Sequence, residues 1–458
     1  MEIIAEKSID GNGINPRLIE ICSQIRNAGG RAYLVGGCVR DLLLQISPKD
    51  WDVEVFSMDP PALESLFAGC IEPVGKSFGI HRFRHFPIDI GFPRKESAIG
   101  SGHRDFSVSI DPYLPVKSAA ARRDFTINAI YYDPLEQSIE DPFGGVEDLQ
   151  GKYLRHVSSQ FSEDPLRVLR GMQFVSRFAL TATAETISLC KQLTPKHLSN
   201  ERIYCEFCKL ILLGEKIGDG LEFLRHANWL PFFPELEAME SCQQDSAYHP
   251  EGSVWNHVKF ATDAFSRFRP HGEWDALVTG FAVLCHDLGK PLCTRWNAAG
   301  RICARGHDRA GILPTQQFLS RVNAPQALVE EVLPLVEFHM VPRTFADGKN
   351  ATAASLNHLA NSVKRIDRLL VVARCDRSGR SDHVPSLVGE DRLEAMAKEA
   401  NLWTSSPVPL IHGRDLLEHF RLTPSPKIGI LVKQIYEAQL DAKFSCYEDA
   451  LAYARSLI

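Results

Sequence analysis

Two aspartates separated by one residue open the stretch of the chain that is best suited to chemistry. Asp50 and Asp52 stand at the start of the alternating run Asp52–Phe56. Residues two apart in a strand point to the same face, so both carboxylates can project together, with Glu54 next on that face. Carboxylates repel each other unless a cation lies between them, and Mg²⁺ prefers oxygen ligands. Two such ions roughly 3.5–4 Å apart can activate a hydroxyl and stabilise a leaving pyrophosphate. The pair therefore predicts nucleotidyl transfer, unless it is only a solvated strand edge.

A glycine pair precedes these aspartates and separates two apolar elements. Residues 32–35 form a short apolar run that predicts a buried strand, and residues 38–45 have helical spacing. Gly36 and Gly37 therefore form a turn at which the backbone can approach a ligand closely. Free amides at the start of a helix favour an anion, so the turn is a candidate seat for a triphosphate, with Arg40 beside it as a charged clamp.

Two further motifs carry groups that suit a metal-bound triphosphate. Asp89 lies in the alternating run Phe86–Phe92, on a strand that could lie beside the aspartate pair or at an exposed edge. Arg122 and Arg123 are adjacent, and the guanidinium fork binds phosphate oxygens in a bidentate manner. The arginine pair therefore predicts phosphate binding in preference to an ordinary charged surface.

The segment Gly36-Gly-Cys-Val-Arg-Asp41, followed by Lys49-Asp-Trp-Asp52, resembles the signature of bacterial CCA-adding tRNA nucleotidyltransferases and related poly(A) polymerases. The resemblance implies a nucleotidyltransferase head that uses Mg²⁺, in which an acid at the position of Asp89 completes the carboxylate set. It also implies that the motif Arg-Arg-Asp-Phe-Thr-x-Asn binds the triphosphate and sugar of the incoming nucleotide. In this chain the candidate residues of that motif are Arg122, Arg123, Asp124 and Asn128.

The run Glu163–Arg170 combines two acids, a proline and two arginines at a predicted helix start. Asp164 and Arg167 are three residues apart and share a face, so a surface ion pair is one interpretation. Cytosine and adenine both present an amino group beside a ring nitrogen, whereas uracil and guanine would leave the carboxylate facing an acceptor. The resemblance assigns this base-selecting role to Asp164 and Arg167, and Arg170 joins the predicted nucleotide-binding residues. Gln173 departs from the arginine that many relatives carry.

Histidines and acids recur in the second half of the chain in an order that suits a metal site. The candidate ligands are His257, His286, Asp287 and Asp376. Such nitrogen and oxygen ligands are accepted by Mn²⁺, Ni²⁺, Co²⁺ or Mg²⁺, and the set resembles an HD-type phosphohydrolase domain. A metal-activated water there would hydrolyse phosphomonoesters or cyclic phosphodiesters. His307 and His339 are either ligands of a second metal or of the substrate phosphate, or satisfied surface histidines.

The bulk composition is that of an ordinary globular protein with several domains. The chain has 458 residues, of which 44% are hydrophobic and 24% charged. We find neither an apolar run of about 18 residues nor an N-terminal signal pattern, which predicts a cytoplasmic protein without a membrane partner. The 12 cysteines favour reduced thiols over a disulfide scaffold. Because the net charge is −6, an RNA partner would need a local basic face, which the Arg and Lys residues between Arg82 and Arg123 could provide.

These patterns predict an α+β protein with four parts. A nucleotidyltransferase head with a small mixed β-sheet and helices is expected over residues 1–155. A helical neck with the nucleotide-selecting motif follows over 156–235, a helical HD-type body over 236–400 and a helical tail, which resembles the RNA-contacting tail of the family, over 401–458. The stretch between Arg94 and Ala121 is polar and irregular and predicts a mobile loop.

The functional expectation is template-independent addition of C and A to tRNA 3′ ends from CTP and ATP, with Mg²⁺ in the head. The HD-type body is expected to remove 3′ or 2′,3′-cyclic phosphates with Mg²⁺, Mn²⁺ or Ni²⁺. Two alternatives of the same chemistry are a poly(A) polymerase and an enzyme that adds only CC or only A, and the stretch after Arg94 would decide among them. An alternative of another class is a metal phosphohydrolase whose head merely binds RNA. The sequence does not indicate an oligomeric state.

Overall fold

The computed structural model describes residues 13–75, 79–98, 106–196, 198–380 and 386–458. The chain divides into two compact units. The first comprises the chain up to residue 206 together with residues 222–229, and the second comprises residues 207–221 and 230–458. Residues 1–12, where we expect no signal pattern, and residues 99–105 of the predicted mobile loop lie outside the described residues.

The first unit contains a seven-stranded mixed sheet, which agrees with the predicted fold class. Its strands are β1 (Arg31–Val35), β2 (Trp51–Phe56), β3 (Ile71–Gly75), β4 (Ile80–Phe83), β5 (Ile88–Gly91), β8 (Tyr131–Asp133) and β9 (Ser138–Glu140). The order across the sheet is β3-β4-β5-β2-β1-β8-β9. The pair β2 and β5 is parallel, whereas the other neighbours are antiparallel. The remaining strands of this unit are β6 (Arg94–Ala98), β7 (Phe106–Ile110), β10 (Tyr153–Leu154) and β11 (Thr181–Ala182).

Seven α-helices among the described residues belong to the first unit, and the first two pack on strands of the large sheet. They are α1 (Pro16–Asn27), α2 (Gly37–Leu43), α3 (Pro60–Leu66), α4 (Val116–Ala120), α5 (Gly145–Gly151), α6 (Leu166–Phe178) and α7 (Ala184–Cys190). Two 3₁₀ turns, Thr126–Asn128 and Ser159–Glu163, lie among them. The helices α8 (Asn200–Leu213) and α9 (Ile217–His226) each contribute residues to both units. All 12 cysteines are free thiols, including Cys205 and Cys208, whose spacing is that of a Cys-x-x-Cys motif.

The strand, glycine turn and helix around Gly36 form as the sequence predicts. β1 is buried over its last four residues, and Tyr33 and Val35 pack against Phe56 and Tyr131 in a shared core. The helix α2 is shorter than the predicted 38–45 because the chain turns at Gln45, which has a positive φ of 60°. Asp50 directly precedes β2, so only Asp52 and Glu54 of the three acids lie within the strand.

Two predictions for the first unit need correction. The stretch after Arg94 is not irregular, because β6 and β7 pair as an antiparallel hairpin on either side of the undescribed residues. The sequence of β6 is polar apart from Ala98, whereas β7 alternates Phe106, Val108 and Ile110 with serines, which is the pattern of a half-buried strand. The helix predicted from Glu163 begins at Leu166 instead. Asp164 precedes the N-cap residue Pro165, and its carboxylate accepts the Leu166 amide at 3.1 Å in a turn that leads into the helix.

The second unit is almost entirely helical, as predicted. Its helices are α10 (Pro234–Glu237), α11 (Val254–Phe268), α12 (Glu273–Cys285), α13 (Lys290–Cys293), α14 (His307–Ala310), α15 (Ile312–Arg321), α16 (Gln326–Phe338), α17 (Ala353–Val363), α18 (Ile366–Ser378), α19 (Val388–Glu399), α20 (Gly413–Phe420), α21 (Pro426–Leu440) and α22 (Tyr447–Arg455). The unit also contains a small hairpin of two strands, β12 (Arg295–Trp296) and β13 (Ile302–Cys303), each two residues long.

The helix α12 is the centre of the second unit. Every residue from Ala276 to Cys285 is buried, and α11, α16 and α18 pack against this helix. A helix that is apolar on all sides requires such complete surroundings. The next residues, His286 and Asp287, are therefore held in the interior. Among the described residues we find no helix that combines the length and apolar character needed to cross a bilayer.

Candidate functional site

The predicted metal-binding aspartates gather where β2 and β5 begin. Asp52 and Asp89 are directly opposite each other in the parallel pair, and Asp50 lies two residues before Asp52. Asp52 is exposed as a residue, yet the protein around its carboxylate raises the pKa through desolvation. Arg123 opposes this rise in pKa, whereas the charges of Asp89, Asp50 and Glu54 reinforce it. A desolvated carboxylate with three acidic neighbours suits a divalent cation.

Asp89 already has a partner in the neighbouring strand. Arg82 of β4 is opposite Asp89 in the sheet, and its Nε and Nη2 each donate to one carboxylate oxygen at 2.7 Å. Each Asp89 oxygen keeps a second lone pair that a metal could use, but the positive charge of Arg82 opposes a cation at this carboxylate. Asp89 is placed beside Asp52, but its role as a ligand stays a prediction.

The glycine turn lies directly against Asp52 and Arg123. Gly36 has a φ of +74°, a conformation that side chains disfavour. A Cβ atom built there would lie 3.0 Å from Arg123 Nη1 and 3.6 Å from Asp52 Oδ2. A Cβ at Gly37 would lie 3.5 Å from Arg40 Nη2. The turn thus brings bare backbone close to the carboxylate and to one arginine of the predicted phosphate-binding pair.

Arg40 does not project from the turn as an open clamp. Its side chain is buried, and Nη1 donates to Asn128 Oδ1 at 2.7 Å, while Nη2 donates to Asp41 Oδ1 at 2.7 Å. The guanidinium also lies over the rings of Phe174 and Phe178. Burial lowers the pKa of Arg40, and Asp41 opposes that shift. The geometry favours a positioning role through Asn128 over direct contact with a triphosphate.

The arginine pair is anchored by Glu54, whose carboxylate is buried beneath the site. Arg122 Nη2 donates to Glu54 Oε1 at 2.8 Å, and the Tyr131 hydroxyl donates to Oε2 at 2.6 Å. Arg123 Nη2 lies 3.8 Å from Oε2, and its guanidinium is over the Tyr131 ring. Burial alone would raise the pKa of Glu54, but Arg123, Arg122 and the tyrosine hydroxyl lower it. Glu54 therefore remains ionised and fixes both arginines.

A buried network joins the remaining residues of the predicted nucleotide motif. Asp124 accepts Arg170 Nε at 2.6 Å through Oδ2, and Asn128 Nδ2 and the Phe125 amide through Oδ1. Burial favours the neutral acid, but Arg170 and these hydrogen bonds lower the pKa of Asp124 to about 2. Since Asn128 also accepts from Arg40, the network connects α2, the 3₁₀ turn and α6. Fully paired groups of this kind fix one local geometry.

Asp164 and Arg167 are both held in defined orientations. Arg202 Nη2 donates to Asp164 Oδ2 at 2.7 Å. Arg167 Nη1 and Nη2 donate to the carbonyls of Gln160 at 2.9 Å and Arg122 at 2.6 Å, which ties the guanidinium to the phosphate-binding motif. The structure thus places the Arg167 guanidinium against the backbone of Arg122, and the base-selecting role of Arg167 stays a prediction. Gln173, the departure noted in the sequence, is buried on the same helix.

The second unit brings together all four predicted ligands of the HD-type site. His257 Nε2 lies 2.9 Å from Asp376 Oδ1 and 3.6 Å from Asp287 Oδ2, and His286 Nε2 lies 3.3 Å from Asp287 Oδ2. Ligand atoms of His257, His286 and Asp376 lie within 4.8 Å of one another. These distances suit a single cation bound by nitrogen and oxygen.

His307 and His339 are buried ligand candidates and not satisfied surface histidines. With Asp287 they form a second set whose ligand atoms lie within 4.8 Å of one another. Asp287 Oδ2 faces His286, whereas Oδ1 lies 3.4 Å from His307 Nε2. Asp287 therefore stands between the two sets of ligands. Burial would raise its pKa, but His286 and Lys290, whose Nζ is 2.6 Å from Oδ2, lower it well below the ordinary value.

Hydrogen bonds fix the orientation of each histidine ring. Nδ1 of His286, His307 and His339 lies 2.7, 2.7 and 2.6 Å from the carbonyls three residues earlier. Because a carbonyl only accepts, each Nδ1 must carry the proton, and Nε2 is left as a metal-binding lone pair. The buried carboxylate of Glu251 does the same for His257, since Oε1 lies 2.8 Å from its Nδ1.

The HD-type ligands open into a cavity of about 490 Å³. Asp287, His307 and Asp376 line its inner end. Four basic side chains also line it, namely Lys290, Arg305, Arg343 and Arg380. The cavity therefore combines metal ligands with cations suited to an anionic substrate such as a phosphate ester.

Sequence reasoning missed the residues that act through others. The alternation predicts Glu54 on the same strand face as Asp50 and Asp52. Its carboxylate is buried instead and pairs with Arg122 and Arg123. The signal available in the sequence, an acid inside an apolar strand, did not reveal its partners. Tyr131 and Glu251 carried no signal, because each meets its partner only through the tertiary fold.

Comparisons with known proteins show which family this chain resembles. The family described as the Poly A polymerase head domain matches residues 32–155. The multifunctional CCA protein of Xylella fastidiosa strain M12 is 34% identical over 364 residues, which cover 77% of this chain and 85% of that protein. The multifunctional CCA protein of Stenotrophomonas maltophilia strain K279a is 33% identical over 361 residues, which cover 76% and 86% of the two chains.

Solved structures support the fold over nearly the whole length. The Bacillus stearothermophilus CCA-adding enzyme in complex with CTP superposes with a TM-score of 0.65 at 20% identity, covering 97% of this chain and 99% of that chain. The Thermotoga maritima CCA-adding enzyme complexed with tRNA gives a TM-score of 0.60 at 17% identity, with 97% and 96% covered.

Proposed function

The chain belongs to the multifunctional CCA protein family of tRNA nucleotidyltransferases, and we propose that it adds C and A to tRNA 3′ ends from CTP and ATP. The observation that carries the proposal for the first unit is the meeting of Asp52 and Asp89 in register, directly against the glycine turn and Arg123. Such an arrangement combines cation ligands, bare backbone and a phosphate-binding cation within a few ångströms. A role in tRNA processing further favours a cytoplasmic location.

The donor set of the first unit fits Mg²⁺, since Asp50, Asp52 and Asp89 offer only carboxylate oxygens. Mg²⁺ held there would lower the pKa of the tRNA 3′-hydroxyl and stabilise the leaving pyrophosphate. No side-chain general base is then required. Gly36 and Gly37 let the triphosphate approach the backbone.

The protein groups around the triphosphate act mainly by position and charge. Arg122 and Arg123, fixed by Glu54, bind phosphate oxygens in a defined geometry. Asp124, Asn128 and the buried side chains bonded to them hold the sugar-binding region in one arrangement. Pre-organised charges of this kind stabilise the charge that develops on the leaving group.

We assign the choice between bases to Asp164 and Arg167. Arg202 keeps Asp164 oriented, and two carbonyls hold Arg167, so both groups present a fixed pattern of acceptor and donor. Cytosine and adenine match that pattern, whereas uracil and guanine leave a polar group unpaired. A single site can therefore serve both CTP and ATP.

One assay tests the activity of the first unit. The full chain is incubated with tRNA that lacks one, two or three terminal nucleotides, with CTP and ATP separately and together, and the products are sequenced. The proposal predicts completion to CCA and no extension beyond it. Extension with A alone would establish a poly(A) polymerase, and products that stop at CC or require CC would establish a partial enzyme. No incorporation at all would establish a head that only binds RNA.

For the second unit we propose a metal-dependent phosphohydrolase that removes terminal or 2′,3′-cyclic phosphates. The residues fit a metal because buried Asp287 has opposed histidine ligands on both of its oxygens. His257, His286 and Asp376 would hold one ion, and Asp287, His307 and His339 would hold another, as Mg²⁺, Mn²⁺ or Ni²⁺. A metal ion would supply an activated water, and Lys290 with the arginines of the cavity would bind the phosphate.

Hydrolysis of a 2′,3′-cyclic nucleotide with each of these ions, before and after chelation, tests this activity. Such hydrolysis on an RNA end would restore the hydroxyl that the first unit uses, which gives a reason for both activities in one chain. We retain residues 1–155, 156–235, 236–400 and 401–458 as the proposed head, neck, HD-type body and tail. Failure to hydrolyse with any of the ions would restrict the second unit to a structural or binding role.

A further inference from the structure

Aromatic and basic side chains lie at the rim of the HD-type cavity, and the reactions proposed above do not involve them. Tyr248 lines the cavity, and 58% of the residue is exposed. Trp296 of β12 is 73% exposed. Large side chains with this exposure are available to a ligand, and aromatic faces are platforms on which nucleobases stack.

The small hairpin places Trp296 beside the mouth of the cavity. Trp296 is directly opposite Ile302 in the antiparallel pair of β12 and β13. Opposed residues of a hairpin point to the same face, and Ile302 lines the cavity. Trp296 is thus an exposed neighbour of a residue that lines the cavity, on the same hairpin face as Ile302.

Tyr248 at the same rim is fixed by an arginine of the hairpin. Arg301 Nη1 donates to the Tyr248 hydroxyl at 3.3 Å, and its guanidinium lies 6.0 Å from the centre of the ring. Arg305, four residues later, lines the cavity. The rim thus offers two aromatic faces with basic groups beside them.

The charges of the cavity indicate the chemistry of the occupant. Lys290, Arg305, Arg343 and Arg380 face Asp245, Asp287, Asp308 and Asp376 there. Metal ions on Asp287 and Asp376 would leave the basic side chains in excess. A polyanion with stackable bases complements such a surface, since single-stranded nucleic acids are held by basic grooves and aromatic platforms.

We infer that Tyr248, Trp296 and Arg301 form a docking surface for the last unpaired nucleotides of an RNA whose 3′-terminal phosphate enters the HD-type cavity. This inference rests on the phosphohydrolase activity proposed for the second unit. It commits that activity to RNA ends over free mononucleotides. The nucleotides upstream of the terminal one stack on the rim, and the terminal phosphate reaches the metal ligands.

The test compares two substrates with the same reacting group on the full chain. One is cytidine 2′,3′-cyclic phosphate, and the other is a single-stranded tetranucleotide that ends in the same cyclic cytidylate. The ratio of their kcat/KM values measures what the upstream nucleotides contribute. We expect the wild-type ratio to favour the tetranucleotide at least about fivefold, since one stacked base contributes about 1–3 kcal/mol.

Variants locate the source of that preference. Trp296→Ala should lower the ratio about fivefold or more by raising KM for the tetranucleotide, with hydrolysis of the mononucleotide unchanged. Tyr248→Ala should also lower the ratio, because the tetranucleotide loses a stacking platform that its upstream bases use. Trp296→Phe keeps an aromatic face and should restore most of the preference. Leu313→Ala is the matched control, because Leu313 is 60% exposed on the same unit but lies outside the residues that line this cavity. Leu313→Ala should leave kcat/KM for both substrates unchanged.

Three results are distinguishable. Hydrolysis of neither substrate with any of the metals overturns the phosphohydrolase and this inference with it. Hydrolysis of both with a ratio near one overturns the docking surface alone. If Trp296→Ala lowers kcat/KM equally for both substrates, the tryptophan supports the cavity or a protein contact. That result also overturns the docking surface.

Discussion

Replacement of Glu54 by glutamine tests the anchoring of the arginine pair. The substitution keeps the shape of the side chain and removes its charge. In the native site the carboxylate is 4% exposed, accepts from Arg122 at 2.8 Å and from the Tyr131 hydroxyl at 2.6 Å, and lies 3.8 Å from Arg123. Breaking a buried ion pair from one side costs about 3–5 kcal/mol. Because glutamine can still accept one hydrogen bond, we expect the free energy of unfolding to fall by about 2–4 kcal/mol.

The functional effect should be larger on nucleotide binding than on turnover. Once the carboxylate is neutral, Arg122 and Arg123 lose their common anchor, so KM for both CTP and ATP should rise about tenfold while kcat changes less. The stability effect also depends on pH. The folded-state pKa of Glu54 is below its ordinary value of 4.5, so its contribution is present above about that pH and is lost as the pH falls further. The variant should therefore show a weaker loss of stability on acidification.

Glu140→Gln provides a matched control in the same sheet. Glu140 also accepts from a tyrosine hydroxyl, that of Tyr33, and lies 3.5 Å from Arg31, but its side chain is 38% exposed. Exposed pairs contribute at most about 1 kcal/mol, so urea unfolding should show a small change and KM should be unaltered. Equal stability losses in the two variants, or an unchanged KM in Glu54→Gln, would refute the anchoring role.

Three further perturbations follow from the site geometry. Asp164→Ala should reduce the preference for CTP and ATP over UTP and GTP about tenfold or more, as should Arg167→Ala, and unchanged selectivity in primer extension would remove the base-selecting role. Gly36→Ala should destabilise the protein by about 1–2 kcal/mol and raise KM for both nucleotides, because its φ is positive and its Cβ would meet Arg123; urea unfolding and kinetics at wild-type values would contradict the close approach. Asp287→Asn should abolish hydrolysis of cyclic phosphates and preserve CCA addition; hydrolysis that survives in the variant would rule out Asp287 as a shared ligand.

The sequence predicts those parts of the site that depend on local order. Alternation in β2 places Asp52 and Glu54 on one strand, and the glycine pair marks the turn that precedes α2. The fold class and the helical character of the second unit follow from periodicity in the same way. Such features depend only on residues that are close in the sequence, so they can be predicted without a tertiary structure.

Features that depend on long-range packing were not predictable from the sequence. Arg40 was expected beside phosphates, but Phe174 and Phe178, more than 100 residues later, enclose its guanidinium. The sequence does not decide whether His307 and His339 are ligands or surface histidines, because their burial results from the packing of α14 against α13 and α16. In the hairpin of β6 and β7, only the polar β6 lacks a strand pattern; the alternation of Phe106, Val108 and Ile110 in β7 does predict a strand, and the expectation of a loop was wrong there.

The central claim is that the aspartates at the start of β2 and β5 perform nucleotidyl transfer, and Asp50→Ala tests it most directly. The measurement is incorporation of CMP and AMP into tRNA that lacks its 3′-terminal CCA, with tRNA affinity determined on the same preparation. Asp59→Ala is a suitable control, because Asp59 is exposed in the same unit and caps α3 without a side-chain hydrogen bond. We expect incorporation to be abolished in Asp50→Ala, with tRNA binding retained and the control unaffected. Normal incorporation by Asp50→Ala would contradict the assignment.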